Sequence, residues 1–239
     1  SGTGHLQFLS PKGYKEYLRA HVNGSEDMVQ MAAQNAEAEA AFFRRLTRSE
    51  LLVASQPAMM GHPRDVFREG LILPGSEDRV SRLSTLFTGQ ALDLHLTITN
   101  QADYIRMLQG DIAMEQLVQG LHDVTPSWHE LVLRLRKACP GRRILVWDFE
   151  EPARIALPFA MTMLSFDEAL MEELREPVAE AIRVTALLPK ILRRTVVPED
   201  FLEELDAQYD DDLTAIEGID NVVLIRSNLI PDDLQLQIG

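Results

Sequence analysis

Three short apolar runs, spaced widely enough for helices to lie between them, constrain this chain more than any other feature. Leu92, Leu94, Leu96 and Ile98 alternate with Asp93, His95 and Thr97, the period-2 pattern of a strand with one buried face. The runs from Ile144 to Phe149 and from Val222 to Ile225 are almost continuously apolar, as strands covered on both faces are. Leu51 to Ser55 is a fourth candidate and stops ahead of Pro57. Such separations exclude hairpins and require crossovers, so the expected architecture is α/β with a mainly parallel sheet between helical layers.

The intervening stretches read as helices. Glu26 to Thr47 is rich in Ala, Glu, Gln and Met, all strong helix formers. From Arg79, the residues Val80, Leu83, Leu86 and Phe87 share a face, and Gly89 follows as a plausible end. Asn100 to Val118 is a third helix. Ser127 opens a fourth, with Glu130 three residues on as a capping box and Pro140-Gly141 as its stop. Pro158 to Leu192 is mostly helical but interrupted by Pro177 and Pro189. Glu199 to Glu217 turns Phe201, Leu205, Tyr209, Leu213 and Ile216 to one side. Nothing divides the chain convincingly, so residues 1–239 are expected to form one domain.

Charge and cysteine narrow the function. Against 37 Asp+Glu stand 23 Lys+Arg, a net charge of −14, which argues against binding nucleic acid or anionic membrane. Cys139 is the only cysteine, so neither a disulfide framework nor a thiolate cluster is available. No apolar run approaches a membrane span, and Ser1 to His5 lacks the features of a signal peptide. A reduced, cytoplasmic setting is the expectation.

Few side chains suggest chemistry by themselves. Ser1-Gly2-Thr3-Gly4 ahead of a helix-like segment can present backbone N–H groups to phosphate, although four small residues at a terminus are commonly just a tail. His62 follows the strand at 51–55, where α/β proteins gather ligands, and is a candidate base; an ordinary surface-loop histidine is the alternative. His95 points away from the apolar side of its strand and reads as structural or solvent-facing. His122 and His129 have no third partner at useful spacing, so no metal site is expected. Ten acidic residues and no Lys or Arg fall between Glu199 and Asp220. The triplet Asp210-Asp211-Asp212 reads as a solvated acidic face, since adjacent helix positions diverge by about a hundred degrees. Arg134, Arg136, Lys137, Arg142 and Arg143 form the opposing basic cluster.

Read together, four segments resemble the sulfotransferases. Ser1-Gly2-Thr3-Gly4-His5-Leu6-Gln7 is similar to the second half of their phosphosulfate-binding loop. Thr97-Ile98-Thr99-Asn100-Gln101-Ala102-Asp103-Tyr104 is similar to their strand-to-helix segment, Arg-Asn-Pro/Gln-x-Asp. The stretch from Ser127-Trp128 through Arg134-Leu135-Arg136 and Pro140-Gly141 to Trp147-Asp148-Phe149-Glu150 resembles bacterial sulfotransferase-like proteins, as does Tyr209-Asp210-Asp211-Asp212-Leu213. The resemblance implies a three-layer fold of the P-loop type that binds 3′-phosphoadenosine 5′-phosphosulfate (PAPS). It also implies transfer of the sulfuryl group to a hydroxyl or amine on a small-molecule or saccharide acceptor. Ser1, Gly2, Thr3, Gly4, His5, Asn100 and Arg106 would then hold the donor, and His62 would be the base. No metal is implied.

The departures limit that implication. The family's loop Lys would immediately precede Ser1, as would the strand leading into the loop, so the first strand is expected to lie outside the given sequence. Thr99 stands where the family has Arg, and Met107 where it has Ser. Each lost contact to a charged phosphate costs about 1.5–3 kcal/mol. Arg106 compensates only if its side chain turns inward; a solvated helix-face arginine is the alternative. Three functions are therefore on the table: a PAPS-dependent sulfotransferase, a catalytically inactive binding or interaction module on that fold, and a nucleotide or phosphate hydrolase. The last lacks a nameable loop Lys, Mg²⁺-binding Asp or arginine finger.

Overall fold

The computed structural model describes residues 6–8, 18, 21–22, 24, 51–53, 59–61, 67–68, 70–108, 125–164, 172–173, 175–176 and 199–230. Within them the chain is mixed α/β. Strands β1 (Leu6–Phe8) and β2 (Leu51–Val53) pair in parallel, and β3 (Phe67–Arg68) and β4 (Leu71–Ile72) form a hairpin whose turn uses Gly70 at φ 73°. The principal sheet is parallel, in the order β5 (Asp93–Ile98), β6 (Arg143–Asp148), β7 (Val222–Ile225). Its helices are α1 (Ser76–Leu86), α2 (Gln101–Leu108), α3 (Trp128–Ala138), α4 (Pro152–Leu164) and α5 (Glu199–Glu217).

Strand pattern decides which helix covers which face. Leu94, Leu96 and Ile98 of β5, Ile144 and Val146 of β6, and Val222 and Leu224 of β7 share one side. Against them pack Ala102 and Ile105 of α2, Leu131, Val132 and Leu135 of α3, and Leu202, Leu205, Leu213 and Ile216 of α5. On the other side Leu145 and Trp147 meet Ile155 and Phe159 of α4, with Ile225 and Ile230 alongside. β6 is the central strand, and Ile144 to Asp148 are all buried, as its unbroken apolar run requires.

Helix ends follow local chemistry. Ser127 has extended backbone and its hydroxyl accepts the Glu130 N–H at 3.1 Å, half of the expected capping box. The other half is not made, because the Glu130 carboxylate lies 3.3 Å from the Arg134 guanidinium instead. α3 stops at Cys139, and Gly141 at φ 80° carries the chain into β6, a conformation that costs an L-residue about 1–2 kcal/mol.

Several expectations need correction. Leu6 and Gln7, read as the end of a phosphate loop leading into a helix, are strand residues paired with Leu51 and Leu52. The helix expected from Arg79 begins at Ser76, and Gly89 lies beyond its cap at Phe87. α4 begins at Pro152, ahead of the expected Pro158, and carries Pro158 inside it. Asp212, read with its neighbours as solvated, is 1% exposed, whereas Asp210 and Asp211 are exposed as expected. The expected helix at 26–47, the chain beyond Leu108 in the helix expected from Asn100, and Pro177 and Pro189 lie outside the described residues.

Four members of the basic cluster are taken up in contacts with the rest of the fold. Arg134 pairs with Glu77 at 2.6 Å and Arg143 with Asp93. Arg142 donates to the carbonyls of Ser84, Phe87 and Gln90 at the end of α1. Only Arg136 reaches the acidic segment, through the Asp220 carbonyl at 2.8 Å.

Candidate functional site

The carboxyl ends of β5 and β6 gather the polar side chains that the fold itself does not consume in ladders. At the end of β5, Thr99 accepts the Trp128 indole N–H through its carbonyl at 2.8 Å, which fixes the strand against α3. Asn100 then turns the chain into α2. Its Oδ1 accepts the Ala102 N–H at 2.8 Å and its carbonyl accepts the Tyr104 N–H at 2.9 Å, the arrangement of a side-chain helix cap. The Asn100 N–H is donated across the sheet end to Glu150 Oε1 at 3.1 Å.

β6 ends on a buried carboxylate. Asp148, 5% exposed, accepts the Tyr209 hydroxyl at 2.8 Å and the Glu150 N–H at 3.1 Å on Oδ1. Its Oδ2 accepts the Ser227 N–H at 3.3 Å and hydroxyl at 3.1 Å. Four donors compensate for the burial of one carboxylate. Glu150 is less well served. Burial pushes its carboxyl above the usual range, the Asn100 N–H opposes this, and Asp148, Asp103 and Asp206 push it further up.

Beneath this edge lies a second polar knot. Gln101 is fully buried and donates through Nε2 to Asp212 Oδ2 at 2.7 Å and to the Pro126 carbonyl at 3.2 Å. Asp212 also accepts the Trp128 N–H at 2.6 Å, the Ser127 hydroxyl at 2.6 Å and the Gln208 amide at 2.9 Å. It ties the N-terminal ends of α2 and α3 to α5.

Of the residues expected to hold a ligand, the structure places two. Asn100 stands at the strand end as expected. Arg106 lies 2.7 Å from Asp103 Oδ1, with both side chains exposed. Ser1, Gly2, Thr3, Gly4, His5 and His62, and the side chain of Met107, lie outside the described residues. Two further arginines among the described residues are paired as well: Arg154 lies 2.6 Å from Glu151, and Arg226 lies 2.9 Å from Glu217. Among the described residues no group of His, Cys, Asp and Glu is arranged to hold a metal ion.

Residue types alone pointed away from Asp148, Gln101 and Asp212. The available signal was a polar residue inside or against an apolar run: Asp148 closes the most apolar strand of the chain, and Asp212 precedes Leu213 on the buried side of α5. No helix among the described residues is long and apolar enough to cross a membrane. No protein-family model, no curated protein and no solved structure matches the chain.

Proposed function

We propose that the chain is a sulfotransferase-like α/β protein of the three-layer P-loop type. On this reading its β5–β6 edge serves as a binding or interaction module and not as the donor site of a PAPS-dependent transferase. The observation that supports this most is the pairing of Arg106 with Asp103 at 2.7 Å, on the outer side of α2. With Thr99 in place of the family's Arg, that leaves α2 no cation directed at a 3′-phosphate. The Glu150 carboxylate meanwhile occupies the Asn100 N–H at the same strand end. A phosphate brought within about 6 Å of that carboxylate is repelled by roughly 3 kcal/mol per unit of charge at an effective dielectric near 20. Added to two lost contacts of about 1.5–3 kcal/mol each, the penalty removes useful affinity for PAPS. The ligand class consistent with the resemblance is then the acceptor side, a hydroxylated small molecule or saccharide.

The transferase remains the second reading because Asn100, which the resemblance gives to the donor, caps α2 at the end of a parallel strand. In that reading Ser1, Gly2, Thr3, Gly4 and His5 cradle the phosphosulfate and His62 deprotonates the acceptor. Adenosine 3′,5′-bisphosphate at about 1 mM separates the two through the melting temperature, since a ligand at a hundredfold its Kd adds about 2.7 kcal/mol. No shift is expected for the native chain, and a gain is expected for Thr99→Arg combined with Met107→Ser. A shift in the native chain restores the transferase. A folded double variant that gains nothing removes the sulfotransferase resemblance as a guide to this edge.

A further inference from the structure

The sheet face under α4 carries a compact aromatic group that includes a titratable ring. Trp147, 1% exposed, donates its indole Nε1–H to His95 Nδ1 at 3.1 Å. The two rings lie within 13° of coplanar, and Phe159 of α4 stands edge-on to both, at centroid distances of 6.1 and 5.1 Å. Phe149, just past β6, is edge-on to Phe159 at 5.6 Å. This contact and Ile155 hold α4 to the sheet.

An indole N–H is a donor only, so the bond requires a lone pair on Nδ1. It assigns His95 as the neutral tautomer with its proton on Nε2. A second proton turns the contact into N–H against N–H and leaves a cation on a half-buried aromatic face. The charged groups acting on the ring among the described residues are Asp93 on its own strand and Arg143 on β6, which are paired with each other. From α4 the ring meets the apolar edge of Phe159. Burial moves His95 below the ordinary histidine value; Asp93 opposes this and Arg143 reinforces it.

We propose that the His95–Trp147 bond is a proton-operated latch: neutral His95 fixes Trp147 and through it Phe159 of α4, and protonation releases α4 from the sheet. α4 begins at Pro152, two residues beyond Glu150, so release also loosens one side of the β5–β6 edge. The latch operates whatever that edge binds. The depressed value means that neutral His95 persists to a lower pH than a free histidine, and that the latch opens only in acid.

Nuclear magnetic resonance tests it on the full chain, where Trp128 and Trp147 give the two indole N–H signals. Between about pH 7.5 and pH 5 the Trp147 signal is expected to move, with a midpoint below the ordinary histidine value. Over the same range the opening equilibrium of α4, read by amide exchange corrected for intrinsic rate, should rise. Its ceiling is about tenfold for each unit by which His95 is depressed on folding. His95→Gln keeps an acceptor for the indole and does not titrate, so its α4 exchange should be flat. A stationary Trp147 signal, α4 protection independent of pH, or an unchanged pH response in His95→Gln overturns the latch. Independently of any variant, a wild-type His95 that carries its neutral-form proton on Nδ1 also overturns it.

Discussion

The Tyr209 hydroxyl donates to Asp148 Oδ1 at 2.8 Å with both side chains buried, joining the middle of α5 to the last residue of β6. The helix thus docks on the sheet by a polar contact as well as by Leu205, Leu213 and Ile216. Burial raises the phenol well above its ordinary range, and the Asp148 charge raises it further, so Tyr209 stays protonated and remains a donor across the physiological range. The bond fixes Asp148, Asp148 holds the Glu150 backbone, and Glu150 reaches Asn100; the geometry of the candidate edge is therefore set from α5.

Tyr209→Phe removes that donor while keeping the ring. A hydrogen bond to a charged group contributes about 1.5–3 kcal/mol, and the three remaining donors to Asp148 lessen the loss. Urea denaturation should show a stability decrease toward the lower end of that range with an unchanged m-value. A variant within about 0.3 kcal/mol of wild type would mean the bond does not hold α5 to the sheet.

Asp212→Asn addresses the second knot. All four groups around Asp212 are donors, the amides of Gln101 and Gln208, the Ser127 hydroxyl and the Trp128 N–H. An Asn oxygen can keep the Gln101 amide and the Trp128 N–H, but its NH₂ then meets Ser127 and Gln208, whose hydroxyl and amide must turn round to accept it, and the bonds to a charged carboxylate are lost. The expected cost is about 2–4 kcal/mol, larger than for Asp210→Asn or Asp211→Asn on the exposed side of the same helix. Equal effects at all three positions would contradict the placement of Asp212.

How much of this was legible beforehand depended on whether periodicity carried it. The alternation from Leu92 to Ile98 located β5 and the face it buries, and the five apolar positions of α5 correctly identified its inward side. Ser127 and Pro140-Gly141 bracketed α3 because caps and stops are local chemistry. What periodicity could not reveal was Asp212, since an acidic triplet on a helix looks solvated until two other helices deliver donors to one of its members. β1 was likewise missed, because Leu6–Phe8 has too few residues to show a period. Arg106 shows the converse: its proximity in sequence to Met107 suggested a ligand, but Asp103, one helical turn earlier, competes for the guanidinium.

Cys139 is expected to be inert in the folded protein. It is fully buried, its thiol donates to the Leu135 carbonyl at 2.9 Å, and burial pushes the thiol up despite the opposing charges of Arg136 and Arg142. Since the thiolate is the reacting form, an aromatic disulfide reagent at about pH 8 should label Cys139 only at the rate of global unfolding, and fully in denaturant. Rapid native labelling would show that the α3–β6 turn opens locally.

Glu150→Gln should stabilise the fold at neutral pH. Burial, then Asp148, Asp103 and Asp206, raise the Glu150 carboxyl above its unfolded value, and the Asn100 N–H only partly offsets them. A carboxyl raised on folding takes up a proton more readily in the native state, so its contribution favours folding in acid and is lost as pH rises through the folded value. Gln keeps an oxygen for the Asn100 N–H and never ionises. The variant should therefore gain at pH 7, by less than about 1 kcal/mol because the side chain is largely exposed and screened. The gain should shrink toward zero as pH falls below about 4, where Glu150 is protonated in both states. Denaturation curves at several pH values measure this directly. A loss at pH 7 would instead mean that the ionised carboxylate holds Asn100 more strongly than its acidic neighbours repel it.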